Sequence, residues 1–146
     1  INPANSIIIR TSWVYSKYGN NFVKTMLRLA ETRDEISVVS DQIGSPTNAA
    51  DLAKAILTIL PQIKNKTVKL FHYSNEGVCS WYDLANAIFE IKQIVVSVDN
   101  IYSNQFNFAA KRPNYSTLNS GRISRDFNLK LLSWKRSLFN FLNDYQ

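Results

Sequence analysis

Cysteine, histidine and methionine are almost missing from this chain of 146 residues, with Cys79, His72 and Met26 each standing alone. A lone cysteine excludes an intramolecular disulfide and points to a reducing compartment, the cytoplasm. One Cys and one His with no clustered acidic pair do not make a metal centre, which needs several ligands at short spacing, so no metal ligand is assigned. Glycine is sparse too. Gly19, Gly44, Gly77 and Gly121 lie too far apart for the G-x-G-x-x-G turn that cradles a dinucleotide phosphate. None of the seven tyrosines has Lys four residues later. A phenol activated by an ammonium on one helix face, a common acid for ketone reduction, is therefore missing, and no catalytic residue is assigned.

Long apolar runs are absent as well. Ile7 to Ile9 and Ile94 to Val96 fall far short of the roughly 20 residues of a membrane span, so no membrane partner is expected. The opening Ile1-Asn2-Pro3-Ala4-Asn5 lacks an initiator Met and the pattern of a signal peptide, and the chain reads as a piece of a longer one.

What remains is the composition of a folded domain: 45% hydrophobic against 19% charged residues, unlike a disordered segment. The net charge of +6 suits an anionic small substrate or a solvated basic face. A basic nucleic-acid-binding domain would also be basic, but the cations are scattered, with no run longer than Lys111-Arg112, and no motif supports that partner.

Ser6 to Arg10 is a β-branched run that reads as a buried strand of a parallel sheet. Asn20 or Asn21 caps a helix in which Phe22, Met26, Leu29 and Ala30 recur at helical spacing, ending near Thr32. Ile36 to Val39 reads as a second strand, and Asp41 to Thr47, with its Gly and Pro, as a loop without a core pattern. Asn48 caps a helix from Ala49 to Leu60, which Pro61 stops. Leu70 to Tyr73 is a third strand. Ser80 and Asp83 form a capping box before a helix carrying Leu84, Ala87 and Ile88, and Ile94 to Val98 is a fourth strand. A loop through Arg112-Pro113, a helical turn from Arg122 to Phe127 and a last helix after Ser133 complete the order. Such alternation predicts an α/β fold with parallel pairing, as one domain over residues 1–146. A lone apolar strand near a chain end implies sheet partners elsewhere.

His72 lies inside an apolar strand, where a structural histidine is the ordinary case. Cys79 precedes a helix, whose dipole lowers a thiol pKa, but without a paired base it reads as inert.

Four stretches share a pattern. Arg10-Thr11-Ser12-Trp13-Val14-Tyr15 with Gly19-Asn20-Asn21-Phe22-Val23-Lys24 comes first, then Asp41-Gln42-Ile43-Gly44-Ser45-Pro46-Thr47 with Ala50-Asp51-Leu52-Ala53. Ser74-Asn75-Glu76-Gly77 with Ser80-Trp81-Tyr82 follows, and Arg112-Pro113-Asn114-Tyr115-Ser116 with Leu118-Asn119 closes the order. Together they resemble the carboxyl-terminal half of the dTDP-4-dehydrorhamnose reductases. The resemblance implies an extended short-chain dehydrogenase, Rossmann-like fold whose amino-terminal Rossmann part, with the Tyr/Lys pair and NADPH, is missing here. Residues 1–20 would then be the tail of that part. The whole enzyme would reduce the C4 ketone of dTDP-4-dehydro-L-rhamnose to give dTDP-L-rhamnose, and this portion alone would be inactive and would bind NADPH weakly.

By the same resemblance Trp13 lies against the sugar, an indole face suiting the apolar side of a deoxyhexose. Thr11 and Ser12 match the turn near the nicotinamide, and Arg112 matches a residue placed for the diphosphate. Asn21 and Gln42 are candidates for bonds to the sugar or nucleotide. Each has an ordinary alternative: a core Trp, strand-end hydroxyls, a solvated Arg, a helix cap and a loop amide. The pattern also fits a non-catalytic relative serving as a regulatory or binding subunit, as in the beta subunit of methionine adenosyltransferase, and it leaves a homo-oligomer open.

Overall fold

The computed structural model describes residues 5–105 and 112–145. Strand β1 (Ile7–Arg10) runs parallel to β6 (Lys69–His72), with Ile7 opposite Lys69 and Arg10 opposite His72. Because side chains alternate across a strand, Ile7 and Ile9 turn with Phe71 toward one face. There they meet Ala55 and Ile59 of α2 (Ala49–Ile59) and Ile123 of α4 (Gly121–Asp126). Ile8 and Leu70, on the other face, stay about half exposed. Strands of a parallel sheet are ordinarily covered on both faces, so one cover is in place and the other is not among the described residues.

A second core gathers α1 (Phe22–Ala30), α3 (Trp81–Lys92) and α5 (Trp134–Asp144) around β3 (Glu35–Val39), which pairs in parallel with β8 (Ser97–Ile101). Val23, Leu84, Ile88, Leu138 and Leu142 are completely or almost completely buried there. Each such side chain contributes about 1.5–3 kcal/mol relative to an exposed one. The caps are local and follow the sequence: Asn21, Asn48, Ser80 and Ser133 each accept a backbone N–H of the first turn, and Ser80 with Asp83 closes a reciprocal capping box.

Three expectations need correction. The fourth strand begins at Ser97 and not at Ile94. Gln93 ends α3 in the left-handed region at φ 54°, and Ile94 N donates back to Phe89 O. That reversal uses up the residues before Ser97 and leaves Val95 97% exposed. The second helix ends at Ile59, and Leu60 belongs to a 3-10 turn with Pro61, because Pro cannot donate to the α ladder.

The stretch from Asp41 to Thr47 is no surface loop. It holds β4 (Ile43–Gly44), antiparallel to β7 (Cys79–Ser80), and β5 (Thr47–Asn48), parallel to β2 (Val14–Tyr15). Gln42, Gly44, Ser45, Pro46 and Thr47 are all buried. Short polar residues can be buried in this way because neighbouring segments pair their backbone groups.

Between the two cores runs a chain of polar contacts. Asp51 Oδ2 accepts from Asn75 Nδ2 and from Ser137 Oγ, and Tyr15 Oη donates to Ser137 Oγ at 3.4 Å. These bonds tie α2, the segment after β6 and α5 into one body.

Candidate functional site

The chain leaving β1 at Thr11 turns sharply at Trp13, whose φ of 47° lies in the left-handed region. A bulky residue held there costs about 1–3 kcal/mol and persists only where its surroundings over-determine it. They do so here. Trp13 O accepts Thr47 N at 3.1 Å, and Ser12 Oγ donates to Ser45 O at 2.9 Å. The indole of Trp13 stacks on that of Trp81, with ring centroids 3.6 Å apart and planes inclined by 10°. Phe22 packs on Trp81 in turn at 4.7 Å. Gly44 sits so close under the indole that a Cβ there would lie 2.3 Å from Trp13 Cε2.

Ile43 joins this cluster to a fourth segment. Its N–H donates to Asn114 O at 2.8 Å, its carbonyl accepts Ser116 N at 2.9 Å, and it bridges Tyr115. Asp41, two residues earlier, accepts Ser103 N at 2.9 Å and Ser103 Oγ at 2.7 Å. Asp41 and Ile43 thus hold the chain on either side of residues 104–113. Arg112, two residues before Asn114, is exposed.

The structure therefore sets Ser12 and Trp13 against Ser45 and Thr47, in the stretch that follows Gln42, and places Arg112 two residues before the Asn114 that Ile43 holds. Thr11 is exposed at the end of β1, whereas the Ser12 hydroxyl is already engaged. Gln42 is 4% exposed. Asn21 stands one residue before Phe22, but its amide is occupied locally: Oδ1 accepts Lys24 N at 3.1 Å and Nδ2 donates to Ser16 O at 2.7 Å. Those two bonds build the cap of α1.

Trp81, Gly44 and Ser45 were missed as parts of the site. The signal for Trp81 was present, since a capping box at Ser80 and Asp83 makes it the first residue of a helix, outside the apolar stripe of Leu84 and Ile88. Ser45 links the site to the segment after β6, its Oγ donating to Gly77 O at 2.9 Å. From there a cleft of about 740 Å3 opens, lined among others by Ser74, Gly77, Thr117, Asn119 and Lys130. Thr47 Oγ1, beside the Trp13 turn, is buried with no hydrogen-bond partner among the described residues.

A thiol and two phenols nearby are held in their neutral forms. Burial, reinforced by the Asp83 carboxylate, pushes the Cys79 thiol up to about 12, so at neutral pH it is no nucleophile. Burial and then Asp51 push the Tyr73 phenol up to about 12, and burial raises Tyr15 above the ordinary phenol value. At neutral pH Cys79, Tyr73 and Tyr15 therefore supply no activated base.

The model of the RmlD substrate binding domain matches residues 2–146. This chain belongs to the RmlD substrate-binding domain family. Among similar proteins, the spore coat polysaccharide biosynthesis protein SpsK of Bacillus subtilis is 41% identical over 144 residues, covering 99% of this chain and 49% of SpsK. A dTDP-4-dehydrorhamnose reductase of Aggregatibacter actinomycetemcomitans is 43% identical, covering 92% of this chain and 49% of that protein. The crystal structure of a dTDP-4-dehydrorhamnose reductase from Bacillus anthracis, in complex with NADP, superposes with a TM-score of 0.86 at 41% identity. It covers 96% of this chain and 48% of that one. This RmlD substrate-binding domain thus has the α/β, Rossmann-like fold of those reductases and spans about half the length of the curated relatives it matches.

Proposed function

We propose that this chain is the sugar-nucleotide-binding portion of a dTDP-4-dehydrorhamnose reductase, acting in the enzyme that reduces the C4 ketone of dTDP-4-dehydro-L-rhamnose with NADPH to dTDP-L-rhamnose. One observation supports this above the others. The Trp13 turn and the Arg112 segment are fixed to one short element, Asp41 to Ile43 and its neighbour Gly44, in a domain of the RmlD substrate-binding kind. An indole face suits the apolar side of a deoxyhexose, and a guanidinium fork suits a diphosphate.

In this reading Trp13 orients the sugar, Arg112 holds the diphosphate, and Gln42 and Asn21 are candidates for added polar contacts. Gln42 is buried, and Asn21 would make such contacts only by giving up part of its cap. NADPH supplies the hydride when bound. The described residues do not fit a dinucleotide: no glycine turn is present, and the Ser12 hydroxyl is committed to Ser45 O. Thr11 and the backbone of Ser12 are left to touch a nicotinamide edge. Residues 1–20, with β1, are read as the tail of a Rossmann domain whose strands would continue the sheet beyond β1.

The test is turnover. The full-length protein should oxidise NADPH in the presence of dTDP-4-dehydro-L-rhamnose, and this domain alone should not. Binding of dTDP-L-rhamnose without any turnover by the full-length protein would favour a non-catalytic binding subunit, and neither binding nor turnover would overturn the reading.

A further inference from the structure

We propose that Gln42 and Asn114 form a pair of carboxamides that grips neighbouring hydroxyls of the sugar. This rests on the reading of the chain as a sugar-nucleotide site with Arg112 at the diphosphate. Ile43 is shared by two ladders: it lies opposite Ser80 in the antiparallel pairing of β4 with β7, where Gly44 faces Cys79, and it is bridged in parallel to Tyr115. Side chains alternate along a strand, and residues opposite one another share a face. Gly44 marks one face, because a Cβ there would run into the Trp13 indole. Gln42, two residues earlier, belongs to the same face.

Carried one residue further, the two registers set Gln42 opposite Trp81 on one side and opposite Asn114 on the other. Across the strands the face therefore reads Trp81, with Trp13 stacked on it at 3.6 Å, then Gln42, then Asn114, at a strand spacing of about 4.8 Å. Arg112 lies two residues before Asn114. The two carboxamides thus stand between the tryptophan pair and the residue read as the diphosphate contact, where the ring of a nucleotide-linked sugar would lie.

Their polar ends are uncommitted. Neither carboxamide makes a hydrogen bond among the described residues, in contrast to Asn21, Asn48 and Asn75, whose amides are engaged. Asn114 is exposed on a backbone pinned by Ile43 N to Asn114 O at 2.8 Å and Ser116 N to Ile43 O at 2.9 Å. Gln42 is 4% exposed, yet its amide is not sealed off as Thr47 Oγ1 is. A nearly buried amide without a partner is costly to a fold, and functional sites are where such costs persist. The Trp13 ring offers a sugar no polar grip of its own, since it is held between Trp81 and Gly44 with Nε1 against the glycine. A carboxamide donates and accepts, as a hydroxyl does. A diphosphate only accepts, and it would leave both amide oxygens unpaired.

The experiment is calorimetric titration of the full-length protein with dTDP-L-rhamnose and with dTDP. Asn114→Ala should weaken dTDP-L-rhamnose about fivefold and Gln42→Leu about tenfold, the usual worth of one neutral hydrogen bond, while both variants bind dTDP as the parent does. Gln42→Leu replaces an unpartnered amide by an apolar side chain of similar size, so its thermal midpoint should hold or rise as sugar affinity falls. A structural amide would give the reverse, a lowered midpoint with affinity unchanged, and that result overturns the proposal. So does an equal loss for dTDP and dTDP-L-rhamnose, which would put the carboxamides at the nucleotide. Where Gln42→Leu does not fold, the exposed Asn114 decides alone: unchanged affinity of Asn114→Ala for dTDP-L-rhamnose sinks the pair. The underlying reading fails separately, if the unsubstituted protein binds neither compound.

Discussion

Asn75 donates from Nδ2 to Asp51 Oδ2 at 2.9 Å while its Oδ1 accepts the backbone N–H of Asn48 at 2.8 Å. One amide, 1% exposed, thus holds both the first turn of α2 and the end of β5. A buried donor or acceptor left without its partner costs about 1–3 kcal/mol. Asn75→Ala orphans the Asn48 N–H and strips a bond from the Asp51 carboxylate, so it should destabilise the domain by at least that amount. Asn75→Asp should be worse at neutral pH, because it sets a second carboxylate beside Asp51. Urea unfolding of the two variants would check both the magnitude and the order, and equal stability of variant and parent would mean that water replaces the amide.

Much of this architecture was legible locally. Asn21, Asn48, Ser80 with Asp83, and Ser133 are cap residues whose partners lie two or three positions away, so the sequence itself carries their role. The burial of Ser45, Pro46 and Thr47 was not legible. It depends on β2, β7 and the segment at Tyr115, which are distant in sequence and come together only in the fold. The same holds for the site: Trp13 and Arg112 were named from resemblance, whereas the Trp13–Trp81 stack joins residues 68 positions apart, 81 less 13. Asn21 shows the converse, a residue picked for a ligand whose amide a local cap already employs.

Gly44 should not tolerate a methyl group. Its φ is not in the left-handed region, so the penalty is steric: an added Cβ would lie 2.3 Å from Cε2 and 2.7 Å from Nε1 of Trp13. The indole cannot retreat, because Trp81 is stacked against it at 3.6 Å. Overpacking of this kind costs about 1–3 kcal/mol, and Gly44→Ala should show that loss together with a weakened near-ultraviolet circular dichroism band from the displaced stack. An unaltered spectrum would show that the loop and not the ring gives way.

Alkaline pH should destabilise the domain in two stages. The Cys79 thiol is pushed up to about 12 in the fold by burial and by Asp83, against about 8.5 in an unfolded chain. A group whose folded pKa is raised contributes stability that is complete below its unfolded pKa and is lost as pH climbs toward the folded one. The first limb therefore starts near pH 8.5, and a second, from Tyr15 and Tyr73, starts near the unfolded phenol value of about 10. Unfolding free energies measured from pH 7 to 11 should fall along both limbs, and Cys79→Ala should remove the first at the expense of a small cavity. A flat profile to pH 10 would show that the unfolded chain protects the thiol as well as the fold does.

The last prediction concerns Arg112, read here as the diphosphate contact. Its position depends on Ile43, whose N–H holds Asn114 O at 2.8 Å two residues downstream, so the backbone beside it is set by the same element that lies against Trp13. A hydrogen bond to a charged group contributes about 1.5–3 kcal/mol, and because Arg112 is exposed the lower end applies, through solvent screening. Arg112→Ala should then raise KM for the dTDP-ketosugar by roughly tenfold. The diphosphate is remote from the ketone and is bound alike in ground and transition states, so kcat should hardly change. Arg112→Lys keeps the charge but loses the two-pronged geometry, and it should fall between alanine and the parent. Raising the salt concentration should shrink the difference among the three, since an exposed charge pair is screened over a Debye length of about 8 Å at physiological ionic strength. Thermal unfolding of all three proteins separates a loss of binding from a loss of stability. A lowered midpoint with KM unchanged would assign Arg112 to the fold and place the diphosphate elsewhere, whereas a fall in kcat alone would put the guanidinium at the reacting end of the substrate.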